Sequence, residues 1–170
     1  MKSIHLIAPS GASLDDKSPL AGIDWLKSQG IAIQNSECVQ RVHERFSGKD
    51  ETRLNELNQL AKLDPQTVVM AMRGGYGIHR LLPNIDWVGI AKAIGNGLQI
   101  SGHSDFTVFQ LGLLAKTGAI TLSGPMLNYD LASSRIVAKQ LLPMHLCGNI
   151  FKVLLKSENW IATYRHRNPF

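Results

Sequence analysis

Cysteine is nearly absent. The 170-residue chain carries Cys38 and Cys147 alone, too few for a disulfide framework and in no CxxC pair, which excludes a stapled secreted scaffold and a zinc ribbon. Long apolar runs are missing as well. Val68–Met72 and Leu111–Ala115 are among the longest, far short of the roughly 20 residues that a membrane span requires. The opening Met1-Lys2-Ser3-Ile4-His5-Leu6-Ile7-Ala8-Pro9 has a single cation and a short apolar stretch broken by His5. A signal peptide needs a longer apolar region and a small-residue cleavage site, so a cytoplasmic location is expected. His5, His43, His79, His145 and His166 show no His-x-x-x-His spacing, and no metal site is expected from them.

What is present describes a globular chain. It is 44% hydrophobic and 18% charged, with mean hydropathy −0.03, and long enough for one domain with a sizeable core. The net charge of +5 is confined to one end. Residues 1–130 hold 12 Lys/Arg against 12 Asp/Glu, whereas Arg135, Lys139, Lys152, Lys156, Arg165 and Arg167 face Glu158 alone. A neutral body with a basic tail is a different object from a basic domain. The tail has no zinc-finger, RRM or helix-turn-helix pattern, so neither a nucleic-acid nor a membrane partner is expected.

The body alternates strand and helix signals. Ser3–Ala8 reads as a strand stopped by Pro9-Ser10-Gly11, and a helix follows over about 19–29, with Gly30 placed as its C-cap. Ile31–Ile33 reads as a strand, and Asp50-Glu51-Thr52-Arg53 opens a helix that Asp64-Pro65 ends. Thr67–Met72 is apolar almost throughout, as a parallel strand covered on both faces should be. It runs into Arg73-Gly74-Gly75-Tyr76-Gly77 and a short helix to about Leu82. Leu98–Ser101 is a further strand, followed by a helix over about 105–115 and a last strand at Ile120–Leu122. This order predicts an α/β fold with an open, mostly parallel sheet and helices on both faces. Residues 131–142 could form a helix and Ile150–Leu155 a strand or helix, but beyond Ser157 the alternation is gone. The domain reading is therefore 1–130 as the α/β body and 131–170 as a basic, atypical tail.

Sites in open α/β sheets form at the carboxyl ends of strands, and two such ends stand out. In Arg73-Gly74-Gly75-Tyr76-Gly77, glycines allow a tight turn that presents bare N–H groups, able to hold a phosphate, a carboxylate or an oxyanion. It is neither a dinucleotide fingerprint nor a Walker A loop, and a plain strand-to-helix turn is the alternative. In Ser101-Gly102-His103-Ser104-Asp105 a strand, a glycine, a serine and a helix make the layout of a nucleophile elbow, although Phe106 stands where the second glycine of Gly-x-Ser-x-Gly would be. The alternative is a helix N-cap built on Ser104 or Asp105. His103 reads as a positioning or surface residue, and Arg73 as the cation placed to meet an anionic substrate or to form a surface ion pair.

Together these segments resemble the N-terminal half of the LD-carboxypeptidase (muramoyltetrapeptide carboxypeptidase) family of serine peptidases, which includes the microcin C immunity peptidases. The resemblance runs from Ala8-Pro9-Ser10-Gly11 through Gly48-Lys49-Asp50-Glu51-Thr52-Arg53, Met72–Gly77 with Arg80-Leu81-Leu82, and Ile85-Asp86. It continues through Gly102-His103-Ser104-Asp105-Phe106-Thr107 to Gly124-Pro125-Met126. It implies removal of the terminal D-alanine from murein tetrapeptides in cytoplasmic cell-wall recycling, without metal or organic cofactor, and a homodimer. Ser104 would be the nucleophile. The N–H of Asp105 and one from Gly74-Gly75 would form the oxyanion hole, and Arg73 and Tyr76 would contact the substrate.

The likeness stops after Gly124–Asp130. Family members run to about twice this useful length, and their second domain supplies the glutamate and histidine of a Ser-Glu-His triad. The tail offers Glu158, His145 and His166 in no matching context. The expectation is a truncated member carrying half an active site, with a non-catalytic binding module for a peptide carboxylate or phosphate as the second reading and a partly folded fragment as the third.

Overall fold

The structure, a computed structural model, describes residues 3–15 and 17–132. Expectations for the tail beyond Ala132, including its helix, its strand and its two histidines, lie outside the described residues.

Among the described residues, five parallel strands form one sheet in the order β2-β1-β3-β4-β5. They are β1 Ser3–Ile7, β2 Ala32–Gln34, β3 Val68–Ala71, β4 Gln99–Gly102 and β5 Leu122–Ser123. The chain starts in β1, steps outward to β2, then returns to β1's other side with β3. The strand order thus reverses between β1 and β3, where an open sheet leaves a crevice at its carboxyl edge. Val69 and Ala71 face one side of the sheet and Met70 and Met72 the other by the two-residue period of a strand. All four are 0–1% exposed, the burial on both faces that the apolar run 67–72 predicts.

Among the described residues, four α-helices follow the strands: α1 Lys17–Ser28, α2 Asp50–Gln59, α3 Trp87–Gly95 and α4 Phe106–Thr117. Ahead of α1, the Asp15 carboxylate accepts the Ser18 N–H at 2.6 Å and the Ser18 hydroxyl at 3.0 Å. Those bonds hold it below the usual carboxylate range. Helix α1 ends at Gly30, whose φ of +74° suits a left-handed cap and whose N–H reaches the Lys27 carbonyl at 2.9 Å. Leu57, Ile90, Phe106, Phe109 and Leu113, all fully buried, build the larger core with Val69, Ala71 and Ile100. Within it Phe109 lies 5.8 Å from Trp87 and 5.1 Å from Phe106, ring centre to ring centre.

Three differences from the sequence reading concern local structure. The short helix expected after the glycine loop is a pair of 3₁₀ turns, Ile78–Arg80 and Leu82–Asn84, because Pro83 and the loop geometry leave no room for a longer one. Helix α3 has no counterpart in that reading. Its start is fixed by Asp86, whose side chain accepts the Gly89 N–H at 2.9 Å. A π-helical turn with no counterpart in that reading, Leu127–Leu131, packs on α1: a Cβ on Gly22 would lie 2.9 Å from Leu127 Cδ1.

Candidate active site

β3 and β4 are hydrogen-bonded neighbours, so the loops that leave their carboxyl ends meet. Ser104 sits at the tip of the second loop, exposed, with φ +61°. The left-handed region disfavours any residue with a Cβ, and a serine held there costs about 1–3 kcal/mol. The turn is held from both sides. Phe106 and Thr107 donate their N–H groups to the His103 and Ser104 carbonyls at 3.2 and 2.9 Å, closing the first turn of α4. Beneath it, Gly102 leaves space that the buried Phe106 ring fills; a Cβ there would collide with that ring. A strained serine between a strand and a helix is the geometry of a nucleophile elbow.

The glycine loop lies directly against it. A Cβ on Gly74 would stand 2.6 Å from Ser104 Oγ, 2.7 Å from Ser104 Cβ and 3.3 Å from the Asp105 nitrogen. Only glycine fits at that distance. The next residue, Gly75, takes φ +119°, open to glycine and strained for the rest. The helix-cap alternative does not hold: Asp105, at the N-cap of α4, makes no side-chain cap bond. Its Oδ2 accepts the Ile78 N–H at 3.3 Å instead, tying the elbow to the 3₁₀ turn that follows the glycine loop.

A third loop, after β1, braces the glycine loop. Gly11 donates its N–H to the Gly74 carbonyl at 3.2 Å, and a Cβ on Gly75 would touch Gly11 at 3.3 Å. This loop rests on two buried ionic side chains from α2. Arg53, fully buried, donates from Nη1 to the Pro9 carbonyl at 2.6 Å and from Nε to the Gly48 carbonyl at 3.2 Å, and pairs with Asp50 at 2.5 Å. Glu56 accepts the Ala8 N–H at 2.7 Å, and its other oxygen accepts from Asn35 and Arg41 at 2.8 and 2.7 Å. Arg53 belongs to a segment that carries the resemblance, but the sequence assigns a task neither to it nor to Glu56. A cation and an acid three residues apart on a helix face otherwise lined by leucines were the available signal.

Of the remaining candidates, Arg73 is half-buried and donates from Nη1 to the Ala12 carbonyl, so its side chain lies back across the β1 loop. Tyr76 is 50% exposed at the loop's outer end. His103 directs Nε2 to Asp130 Oδ2 at 3.0 Å, and the same carboxylate oxygen accepts the Met126 N–H at 2.8 Å. His103 is thereby engaged with the π-helical turn. Among the described residues no histidine or carboxylate is hydrogen-bonded to Ser104 Oγ, and no group of three His, Cys, Asp or Glu could hold a metal ion.

Together these features define an open parallel α/β domain with a strained serine between β4 and α4 packed against a glycine loop. The family description "LD-carboxypeptidase N-terminal domain" matches residues 4–124, and the chain belongs to that family. It is 30% identical over 123 residues to the murein tetrapeptide carboxypeptidase of Pseudomonas aeruginosa, a match covering 72% of this chain and 39% of that protein. It is 33% identical over 106 residues to the microcin self-immunity protein MccF of Escherichia coli, over 62% of this chain and 30% of that one. A solved muramoyltetrapeptide carboxypeptidase from Oxalobacter formigenes superposes with a TM-score of 0.66 at 38% identity, over 78% of this chain and 43% of that chain. MccF in complex with aspartyl sulfamoyl adenosine shares the fold, with a TM-score of 0.74 at 24% identity. The chain thus spans less than half the length of the relatives it matches.

Proposed function

We propose that this chain carries the nucleophile half of a serine-type LD-carboxypeptidase that removes the terminal D-alanine from murein tetrapeptides in the cytoplasm. The observation that carries the reading is Ser104 at φ +61°, with the Gly74 backbone against its hydroxymethyl group. In the reaction, Ser104 Oγ attacks the carbonyl carbon of the bond to D-alanine while a general base takes the hydroxyl proton. The carbonyl oxygen becomes an oxyanion, met by the N–H groups of Asp105 and of the Gly74-Gly75 loop. Collapse breaks the C–N bond, the amine of D-alanine leaves with the proton, and water then hydrolyses the acyl-serine. One such oxyanion donor is worth about 2.7–4 kcal/mol of barrier. Arg73 and Tyr76 flank the loop as substrate-side contacts.

The base is the missing part. The described residues bring none to Ser104, and a serine without its base is a weak nucleophile. The same observation favours the second reading, a binding module that keeps the glycine loop and does no chemistry. Release of D-alanine from a murein tetrapeptide by the purified chain, with Ser104→Ala as control, tests the first. Release lost on substitution establishes the enzyme and shows that the tail or a partner chain completes the site. No release from a folded, monodisperse sample, together with no labelling of Ser104 by a fluorophosphonate, leaves the binding module.

A further inference from the structure

At the outer end of the glycine loop, around Tyr76, lies a cluster of cations and aromatic rings of which the reaction above uses Tyr76 alone. Phe46 is buried against Gly77, where a Cβ would come within 2.7 Å of its ring. Tyr76 stacks beside it, ring centres 6.4 Å apart. The Arg45 guanidinium stands 5.8 Å from the centre of the Tyr76 ring. His79 lies 4.7 Å from that ring and its Nε2 is 3.3 Å from the Tyr76 hydroxyl. Arg53 and Arg80 approach the Phe46 ring at 4.6 and 5.3 Å.

The charges here are unequally matched. Asp50 serves both Arg53, at 2.5 Å, and Arg80, at 3.8 Å. Arg45 is exposed and in no ion pair with a described residue. Its backbone is nevertheless fixed, because its carbonyl accepts the Ala12 N–H at 3.0 Å in the braced β1 loop. The Arg45 guanidinium beside the Tyr76 ring, next to a tyrosine hydroxyl and an imidazole that share a hydrogen bond, is a cation with no described acceptor facing it. Its complement is an anion with oxygen acceptors. Tyr76 follows Gly74 by two residues, at most about 7 Å of chain, so the cluster continues outward from the glycine loop that faces Ser104.

We propose that Arg45, Tyr76 and His79 form a subsite for a free carboxylate carried by an acidic peptide substrate upstream of the bond to be cut. This rests on the reading of the chain as a murein-peptide carboxypeptidase and adds to it a recognition element built on this half alone.

The test is calorimetric binding to the full chain carrying Ser104→Ala, so that turnover plays no part. Two tetrapeptides of murein composition ending in D-alanine are compared, one with its internal carboxylate free and one with that group converted to a carboxamide. The free acid is expected to bind about tenfold more tightly. Arg45→Gln should erase the preference and His79→Gln reduce it, while Lys27→Gln, a surface change on α1, should leave it intact. Equal affinity for the two peptides overturns the subsite, as does a preference that survives Arg45→Gln or binding of neither peptide. Inorganic phosphate competing as well as the acid peptide overturns it in favour of a free-anion site. D-Alanine release, measured separately, decides the enzyme reading whatever the subsite does.

Discussion

Ser104 and Gly74 meet across two loops, with room between them for no Cβ on Gly74. The serine's left-handed backbone predicts that Ser104→Gly stabilises the fold by about 1 kcal/mol, since glycine relieves the strain; Ser104→Ala, which keeps the Cβ, should give no such gain. Urea unfolding of the two variants distinguishes them. Gly74→Ala pushes a methyl into the Ser104 hydroxymethyl at 2.6 Å and should cost about 1–3 kcal/mol as overpacking. In the Ser104→Gly background most of that cost should vanish. A double-mutant cycle from urea midpoints gives a coupling energy of about 1 kcal/mol or more if the two groups meet as described. Simple additivity would mean that they do not.

At the scale of elements, α2 matters less as a helix than as the carrier of Arg53 and Glu56. Its leucine stripe made it legible as a buried helix, and Leu57 is buried as that stripe requires. These two ionic side chains each serve the loop after β1, 40 or more residues away, a relation that periodicity does not record. Arg53→Met removes the donors to the Pro9 and Gly48 carbonyls and leaves the buried Pro9 carbonyl without a partner. The expected loss is about 3 kcal/mol of stability, read from a urea midpoint. A loss under about 0.5 kcal/mol would mean that the β1 loop stands without it. Helix α3 shows the opposite failure of reading. Asp86, Trp87, Ile90 and Ala93 have the cap and the spacing of a buried face, but two glycines and a valine in nine residues blur the pattern. The helix forms because Trp87 and Ile90 enter the core, a tertiary gain that outweighs weak propensity.

For the described domain as one folded unit, Cys38 is the useful reporter. It is fully buried, and burial, with the nearby Glu56 carboxylate as the second cause, pushes its thiol well above the ordinary range. The folded pKa is raised, so the stabilisation is fully present below the unfolded thiol's value of about 8.5. Above that pH the unfolded state loses its proton and the folded state does not, and stability should fall by up to about 1.4 kcal/mol per pH unit. In a Cys147→Ser background, a thiol reagent at pH 7 should modify Cys38 only at the rate at which the domain opens. Fast labelling of the native chain would show that the core around β1 is loose.

The sequence by itself determined the kind of fold, the positions of the glycine loop and the elbow, and the family. Those features are local: a strand period, a glycine where the chain must turn, a serine between strand and helix signals. It also fixed where the excess charge lies. The tertiary structure decided which loops meet. Sheet order 2-1-3-4-5 puts β1, β3 and β4 side by side, and that adjacency turns Gly74 from a turn residue into the wall against Ser104. It also engages His103 with Asp130, clear of the serine beside it in sequence, and gathers Arg45, Tyr76 and His79 at one rim. Such contacts join residues about 30 or more positions apart or depend on how rings stack, and they exist only once the hydrophobic faces have been buried together.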